Sequence, residues 1–256
     1  MVITVIGSGG KTSLIWLLAQ SQRRRRVLVS PTTRMYPPPP AQHCYDHDRF
    51  SGAAFFPEPG IPPPAGISLA GSLNRETGKL ESLPPDLLER MIPGYDLVLL
   101  EGDGSRNLPL KGWAEYEPVV PLYTTATVAV IPISPLGKQV SPDLVFRIPQ
   151  FTALCGAAPG DTLRPAHLAA VIAGGPASAP GGGAVRGLFH AARGERVLLI
   201  NQADNEEQRE QARTLAALLP RRVAPDLAAV LAASVALNQA EILRETPALP
   251  RTDSAP

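Results

Sequence analysis

The feature that most constrains this chain lies at its start. An apolar, β-branched run at residues 2–6 (VITVI) is broken by Gly7-Ser8-Gly9-Gly10 and followed by residues 11–20 (KTSLIWLLAQ), which read as a helix. A strand passing through glycines into a helix leaves the first helical N–H groups without partners at the positive end of the helix dipole. Glycines let those amides approach an anion closely. Gly7, Ser8, Gly9, Gly10, Lys11, Thr12 and Ser13 are therefore predicted to cradle a nucleotide polyphosphate, with Lys11 at the terminal phosphates and the Thr12 hydroxyl on Mg2+. The common phosphate loop carries an earlier glycine where Val5 stands here, so this is the shorter G-x-x-G-K-T form. The competing reading is a plain strand-to-helix turn with Lys11 in solvent.

A site of this kind needs a carboxylate near Thr12, usually at the end of a neighbouring apolar strand. Residues 96–100 (DLVLL) read as that strand and end in Glu101-Gly102-Asp103-Gly104. Side chains two apart share one side of an extended chain, so Glu101 and Asp103 are both expected to face the metal. One would hold Mg2+ or its water; the other would position an attacking water or acceptor. Lys11, Glu101 and Asp103 are thus the expected catalytic residues, and Thr12, Glu101 and Asp103 the expected metal set, against the alternative of an ordinary polar turn. Arg106 and Lys111 are candidate phosphate or substrate clamps, or else solvated charges.

A third loop follows the apolar run at residues 197–200 (VLLI). Asn201-Gln202-Ala203-Asp204 is close to the N-K-x-D pattern that reads guanine, with Gln202 in place of lysine. Asp204 could accept from two guanine donors, each charged hydrogen bond being worth about 1.5–3 kcal/mol, or it could simply cap the next helix. Asn201 and Asp204 are candidate base contacts, and the nucleotide is ATP or GTP.

Further apolar runs at residues 27–29 and 127–131, a hairpin around residues 74–78, and helices at 84–91 and 204–219 complete the reading. Strands alternating with helices predict an α/β fold: three layers, P-loop NTPase-like, with a mainly parallel sheet, helices on both faces, and ligands at the carboxyl ends of the strands. A single nucleotide-binding domain is expected over residues 1–244, with a proline-rich insertion at 37–64 that cannot supply a central strand. Residues 174–183 (GGPASAPGGG) read as a mobile joint and 245–256 as a disordered tail.

With 24 basic and 23 acidic side chains, a formal net charge of +1 offers no electrostatic reason for a nucleic-acid or acidic-membrane partner. No apolar run reaches the roughly 18 residues that cross a bilayer, and no basic lead-in suggests secretion, so a soluble, cytoplasmic protein is expected. Cys44 and Cys155 read as free thiols. The arginines at 23–26 suit a solvated helix end. Thr32 and Thr33, in Ser30-Pro31-Thr32-Thr33-Arg34, could reach Mg2+ or phosphate. His43, Cys44, Asp46 and His47 could bind a soft metal. Trp16 is expected in the core and Trp113 at a surface or partner contact.

Gly7 to Ser13 (GSGGKTS), Thr32-Thr33 with Met35-Tyr36-Pro37-Pro38, and above all residues 101–111 (EGDGSRNLPLK) with 115–121 (EYEPVVP) resemble the YqeC family, accessory proteins for selenium-dependent molybdenum hydroxylases. The resemblance runs to about residue 205. The family's E-A-D-G-S-R-G-L-P-L-K-A-P and following H-E-P recur here with Gly102, Asn107, Gly112, Trp113 and Tyr116 at altered places. It implies a P-loop nucleotide-binding protein that helps mature or insert a selenium-containing molybdenum cofactor, with a molybdenum hydroxylase or a cofactor-maturation enzyme as partner. A slow Mg2+-dependent NTPase is the leading expectation. The short loop also resembles the central domain of Mur ligases, which keeps an ATP-dependent ligase or kinase open, as does a non-hydrolysing, nucleotide-sensing scaffold.

Overall fold

The apolar runs become parallel strands. In the computed structural model, which describes residues 1–37, 54–55, 63–174, 187–220 and 226–246, β1 (Val2–Gly7) leads into α1 (Lys11–Ser21), and β2 (Arg26–Pro31) and β3 (Gly66–Leu69) follow. Next come α2 (Pro85–Met91), β4 (Leu97–Glu101), β5 (Ala126–Pro132), α3 (Ile148–Cys155) and α4 (Pro165–Ala173). The chain continues through β6 (Glu195–Asn201), α5 (Glu206–Leu218), β7 (Ala229–Ser234) and β8 (Gln239–Glu245). These strands form one eight-stranded sheet in the order β8-β7-β6-β5-β1-β4-β2-β3, parallel except for the β7–β8 pair.

Alternation along the strands sends side chains to two faces, and helices cover both. Val5, Val130 and Leu199 pack with Leu14, Ile15 and Trp16 of α1 on one face. Ile6, Ile131 and Ile200 meet Phe151 of α3, Leu168 of α4 and Leu215 of α5 on the other. Leu28, Val98 and Leu100 pack on Leu88 and Met91 of α2. The fold is therefore α/β, three-layered and P-loop NTPase-like. From β1 the chain crosses to β2 on one side, and from β4 it crosses to β5 on the other. That reversal opens a crevice at the carboxyl end of β1, where open α/β sheets bind ligands.

Some expectations change. The hairpin expected around residues 74–78 forms outside the main sheet: β3 extends that sheet, whereas Gly71–Asn74 turns away and pairs antiparallel with Lys79–Glu81, to which Arg34–Met35 adds. Gly71 permits this because a Cβ there would lie 2.8 Å from the Glu81 carbonyl oxygen. Arg26 belongs to β2 rather than to a solvated helix end, and its guanidinium pairs with Asp96 at 2.7 Å. Asn205, not Asp204, caps α5, accepting from the Gln208 N–H at 2.9 Å, because the helical turn begins one residue later than expected. Helices α3 and α4 and strands β7 and β8 escaped the sequence reading: α4 (PAHLAAVIA) is apolar without a clear stripe, and β8 is an edge strand with much of its surface in solvent. The expected tail therefore starts inside β8. The rest of that tail, most of the glycine-rich joint and most of the proline-rich insertion, with His43, Cys44, Asp46 and His47, lie outside the described residues.

Candidate phosphate-binding site

The loop between β1 and α1 requires glycine at three positions, among them Gly9, whose φ is +74° and where a Cβ would fall 2.4 Å from the Pro132 ring. Gly7 has φ +98° and a Cβ there would fall 2.1 Å from the Val130 carbonyl oxygen; Gly10 has φ +125° and a Cβ there would fall 2.3 Å from Asn201 Nδ2. Helix α1 begins with no side-chain cap hydrogen bond and no acidic residue of its own in its first turn. Lys11 is buried and donates to the Gly7 carbonyl at 2.8 Å.

Pairing of β1 with β4 sets Val5 opposite Glu101, which brings the acidic strand end to the first turn of α1. The Thr12 hydroxyl donates to Glu101 Oε2 at 2.6 Å. Burial pushes the Glu101 carboxyl above its ordinary pKa, opposed by the charge of Lys11 and the Thr12 hydrogen bond. A cleft of about 350 Å³ opens over these groups, with Lys11, Thr12, Ser13 and Glu101 in its lining and Gln202 also reaching it.

The structure separates the two carboxylates expected to face one metal. Strand β4 ends at Glu101, so strict alternation stops there. Gly102 donates to the Val5 carbonyl at 2.8 Å, and Asp103 turns behind the loop, fully buried. Asp103 accepts from the Gly7 N–H at 3.0 and 3.2 Å, from Trp113 Nε1 at 2.8 Å and from Lys111 Nζ at 3.2 Å, while Lys11 Nζ stands 3.5 Å away. Glu101 reaches the cleft; Asp103 holds the backbone of the loop.

Lys111 is neither a clamp at the cleft nor a solvated charge. It is 1% exposed and donates to Glu117 Oε2 at 2.8 Å and the Gly104 carbonyl at 2.7 Å as well as to Asp103. Trp113, expected at a surface, is buried because its indole N–H serves Asp103. Glu117, which also pairs with Arg147, lies in the EYEPVVP stretch that carries the family resemblance, but it has no role of its own in the sequence reading. Thr32 uses its N–H on the Glu101 carbonyl at 2.9 Å and its hydroxyl on the Val119 carbonyl at 2.7 Å, tying β2 to β4; from that loop Arg34 lines the cleft instead. Arg106 lines it too, as do Tyr36 and Lys79, which the sequence did not single out as site residues.

At the end of β6, the Asn201 amide is already engaged at both ends. It donates to the Gly9 carbonyl at 2.8 Å and accepts from the Val235 N–H at 3.1 Å, so it braces the glycine loop against the segment after β7. Asp204 is exposed and does not line the cleft. Among the described residues no group of three or more His, Cys, Asp and Glu side chains could hold a metal by itself, and no helix is long and apolar enough to cross a membrane.

The raised pKa of Glu101 has a stability consequence. For a carboxyl raised in the folded state, the stabilising contribution is present below the ordinary glutamate range and is lost as pH rises through the folded value. In nucleotide-free and metal-free protein, Glu101→Gln should therefore gain stability relative to the wild type as pH rises from acid to neutral, read from urea midpoints. Parallel pH profiles for the two proteins would contradict this.

Comparison with known proteins agrees with the motif-level likeness. The family model described as YqeC protein matches residues 3–149. The chain is 34% identical over 178 residues to the "Uncharacterized protein YqeC" of Escherichia coli (strain K12), a match covering 67% of each chain. No solved structure matches it. With more than half its length inside the family model and the glycine loop and EGDGSR strand end both within the match, the chain belongs to the YqeC family.

Proposed function

We propose that this protein binds ATP or GTP with Mg2+ and hydrolyses it slowly, in a cycle that assists maturation of a selenium-dependent molybdenum hydroxylase or its cofactor. The observation that carries the nucleotide reading is the Thr12–Glu101 contact at 2.6 Å, set beside an uncapped helix amino end and Lys11. An isolated serine or threonine cap would need no buried acid from another strand. The maturation role is supported by family resemblance.

The donor set fits magnesium, which prefers oxygen ligands and is commonly held by one or two carboxylates together with substrate phosphates. Thr12 and Glu101 would hold it, and when bound it would neutralise charge on the polyphosphate. Lys11 would turn from the Gly7 carbonyl toward the terminal phosphates. Asp103 serves as a positioning residue: by accepting from Gly7 it fixes the direction of the loop amides. Asn201 holds the far side of the same loop, so it braces the loop rather than meeting a base.

A ligand that binds only the folded state raises its apparent stability by about 2.7 kcal/mol at a hundred times its Kd. ATP or GTP should raise the thermal midpoint strongly with Mg2+ and weakly without it, and their diphosphates less. Should neither triphosphate move the midpoint, or should Mg2+ make no difference, the reading fails.

A further inference from the structure

The nucleotide reading leaves one side of the cleft without a task. Among the described residues its lining contains four cations, Lys11, Arg34, Lys79 and Arg106, and a single carboxylate, Glu101. The whole chain has a formal net charge of only +1, so this excess is local. Arg34 follows β2 and Arg106 follows β4, while Lys79 begins the strand paired beside Arg34–Met35. Sheet order therefore puts these three on the β4–β2 side of the glycine loop, and Gln202, after β6, on the other.

Their pairing differs in a telling way. Arg34 has a counter-ion, Glu81, at 3.2 Å. Lys79 and Arg106 have no carboxylate partner among the described residues; each instead rests over an aromatic ring, Lys79 at 4.6 Å from the centre of Tyr36 and Arg106 at 4.8 Å from that of Phe146. A ring holds a cation in place without cancelling its charge. Two pre-positioned, uncompensated cations in one cleft raise its potential and attract an anion. Arginine's fork suits phosphate oxygens, and lysine adds a point charge. The helix amino end and Lys11 already suffice for the nucleotide's own phosphates, and Thr12 with Glu101 for its metal.

We infer that the cleft takes a second, phosphate-bearing small molecule at Lys79 and Arg106, with Arg34 alongside, on the β4–β2 side of the nucleotide. That this ligand is the second of two rests on the nucleotide reading; the anion subsite itself does not. The site then serves two substrates rather than nucleotide and water alone.

Inorganic phosphate is the probe, titrated by calorimetry into Lys11→Ala protein, in which the glycine loop is weakened, and into Lys11→Ala/Lys79→Ala/Arg106→Ala protein. Neither Lys79 nor Arg106 is buried, so circular dichroism should show the triple variant folded to the same extent as Lys11→Ala. The triple variant should bind phosphate at least tenfold more weakly than Lys11→Ala, while Lys79→Ala/Arg106→Ala alone should keep Mg2+-nucleotide affinity within about twofold. Equal phosphate affinity in the two Lys11→Ala proteins, no phosphate binding by Lys11→Ala, or a tenfold nucleotide loss in Lys79→Ala/Arg106→Ala would each overturn the subsite. Nucleotide affinity undiminished in Lys11→Ala would instead count against the nucleotide reading and leave the phosphate comparison to stand by its own result.

Discussion

Lys111→Met should lower the free energy of unfolding by about 3–5 kcal/mol, the usual effect of removing one partner from a buried ion pair. Around the loop three cations, Lys11, Lys111 and Arg147, meet three carboxylates, Glu101, Asp103 and Glu117. Lys111 and Asp103 side chains are both 0% exposed, so water cannot take over the lost charge without opening the core. Methionine has similar length, which keeps the cavity contribution small and leaves electrostatics as the dominant effect. Urea unfolding measures the loss, and adding Asp103→Asn should recover part of it, since that removes the orphaned charge. A loss below about 1 kcal/mol would mean that the network is effectively hydrated. Because Asp103 also holds the Gly7 N–H, the surviving folded fraction of Lys111→Met should bind nucleotide less well than its stability alone explains.

The second large effect belongs to Lys11→Ala, and it should divide the other way. Asp103 keeps three donors without Lys11, namely the Gly7 N–H, Lys111 and Trp113, so the fold should lose less than it does in Lys111→Met. Nucleotide affinity should fall sharply. A hydrogen bond to a charged group is worth about 1.5–3 kcal/mol, which corresponds to roughly ten- to a hundredfold in Kd. Binding of a fluorescent triphosphate analogue measures the first quantity, and a thermal melt without ligand the second. Unchanged affinity in a folded Lys11→Ala protein would remove the phosphate-loop reading altogether.

Legibility followed sequence distance. The glycine loop, its lysine and threonine and the helix behind it are contiguous, and the physics that demands them is local: free amides, positive φ, a dipole end. The acidic strand end was legible for a similar reason, since an unbroken apolar run that stops at Glu101 marks a buried strand and its terminus. Asp103 was misdirected because period-two alternation holds only while the strand lasts, and β4 ends at Glu101. Lys111 and Trp113 looked like surface residues because nothing in their neighbourhood names a partner; their partners, Asp103 and Glu117, meet them only after residues 102–117 wrap beneath the loop. Asp204 resembled a helix cap by composition, and a one-residue difference in where α5 begins gave that position to Asn205.

From the chain alone came the α/β class, the parallel strands, the glycine loop at the head of α1 and the acidic end of the neighbouring strand, since each depends on hydrophobic period or on backbone freedom within a few residues. Only the folded molecule decided which carboxylate meets Thr12 and which is sequestered behind Gly7, and only it gathered Arg34, Lys79 and Arg106 along one side of the cleft. Those outcomes turn on strand order and on the burial of charge, which arise from contacts between segments tens of residues apart and leave no local trace in the order of residues.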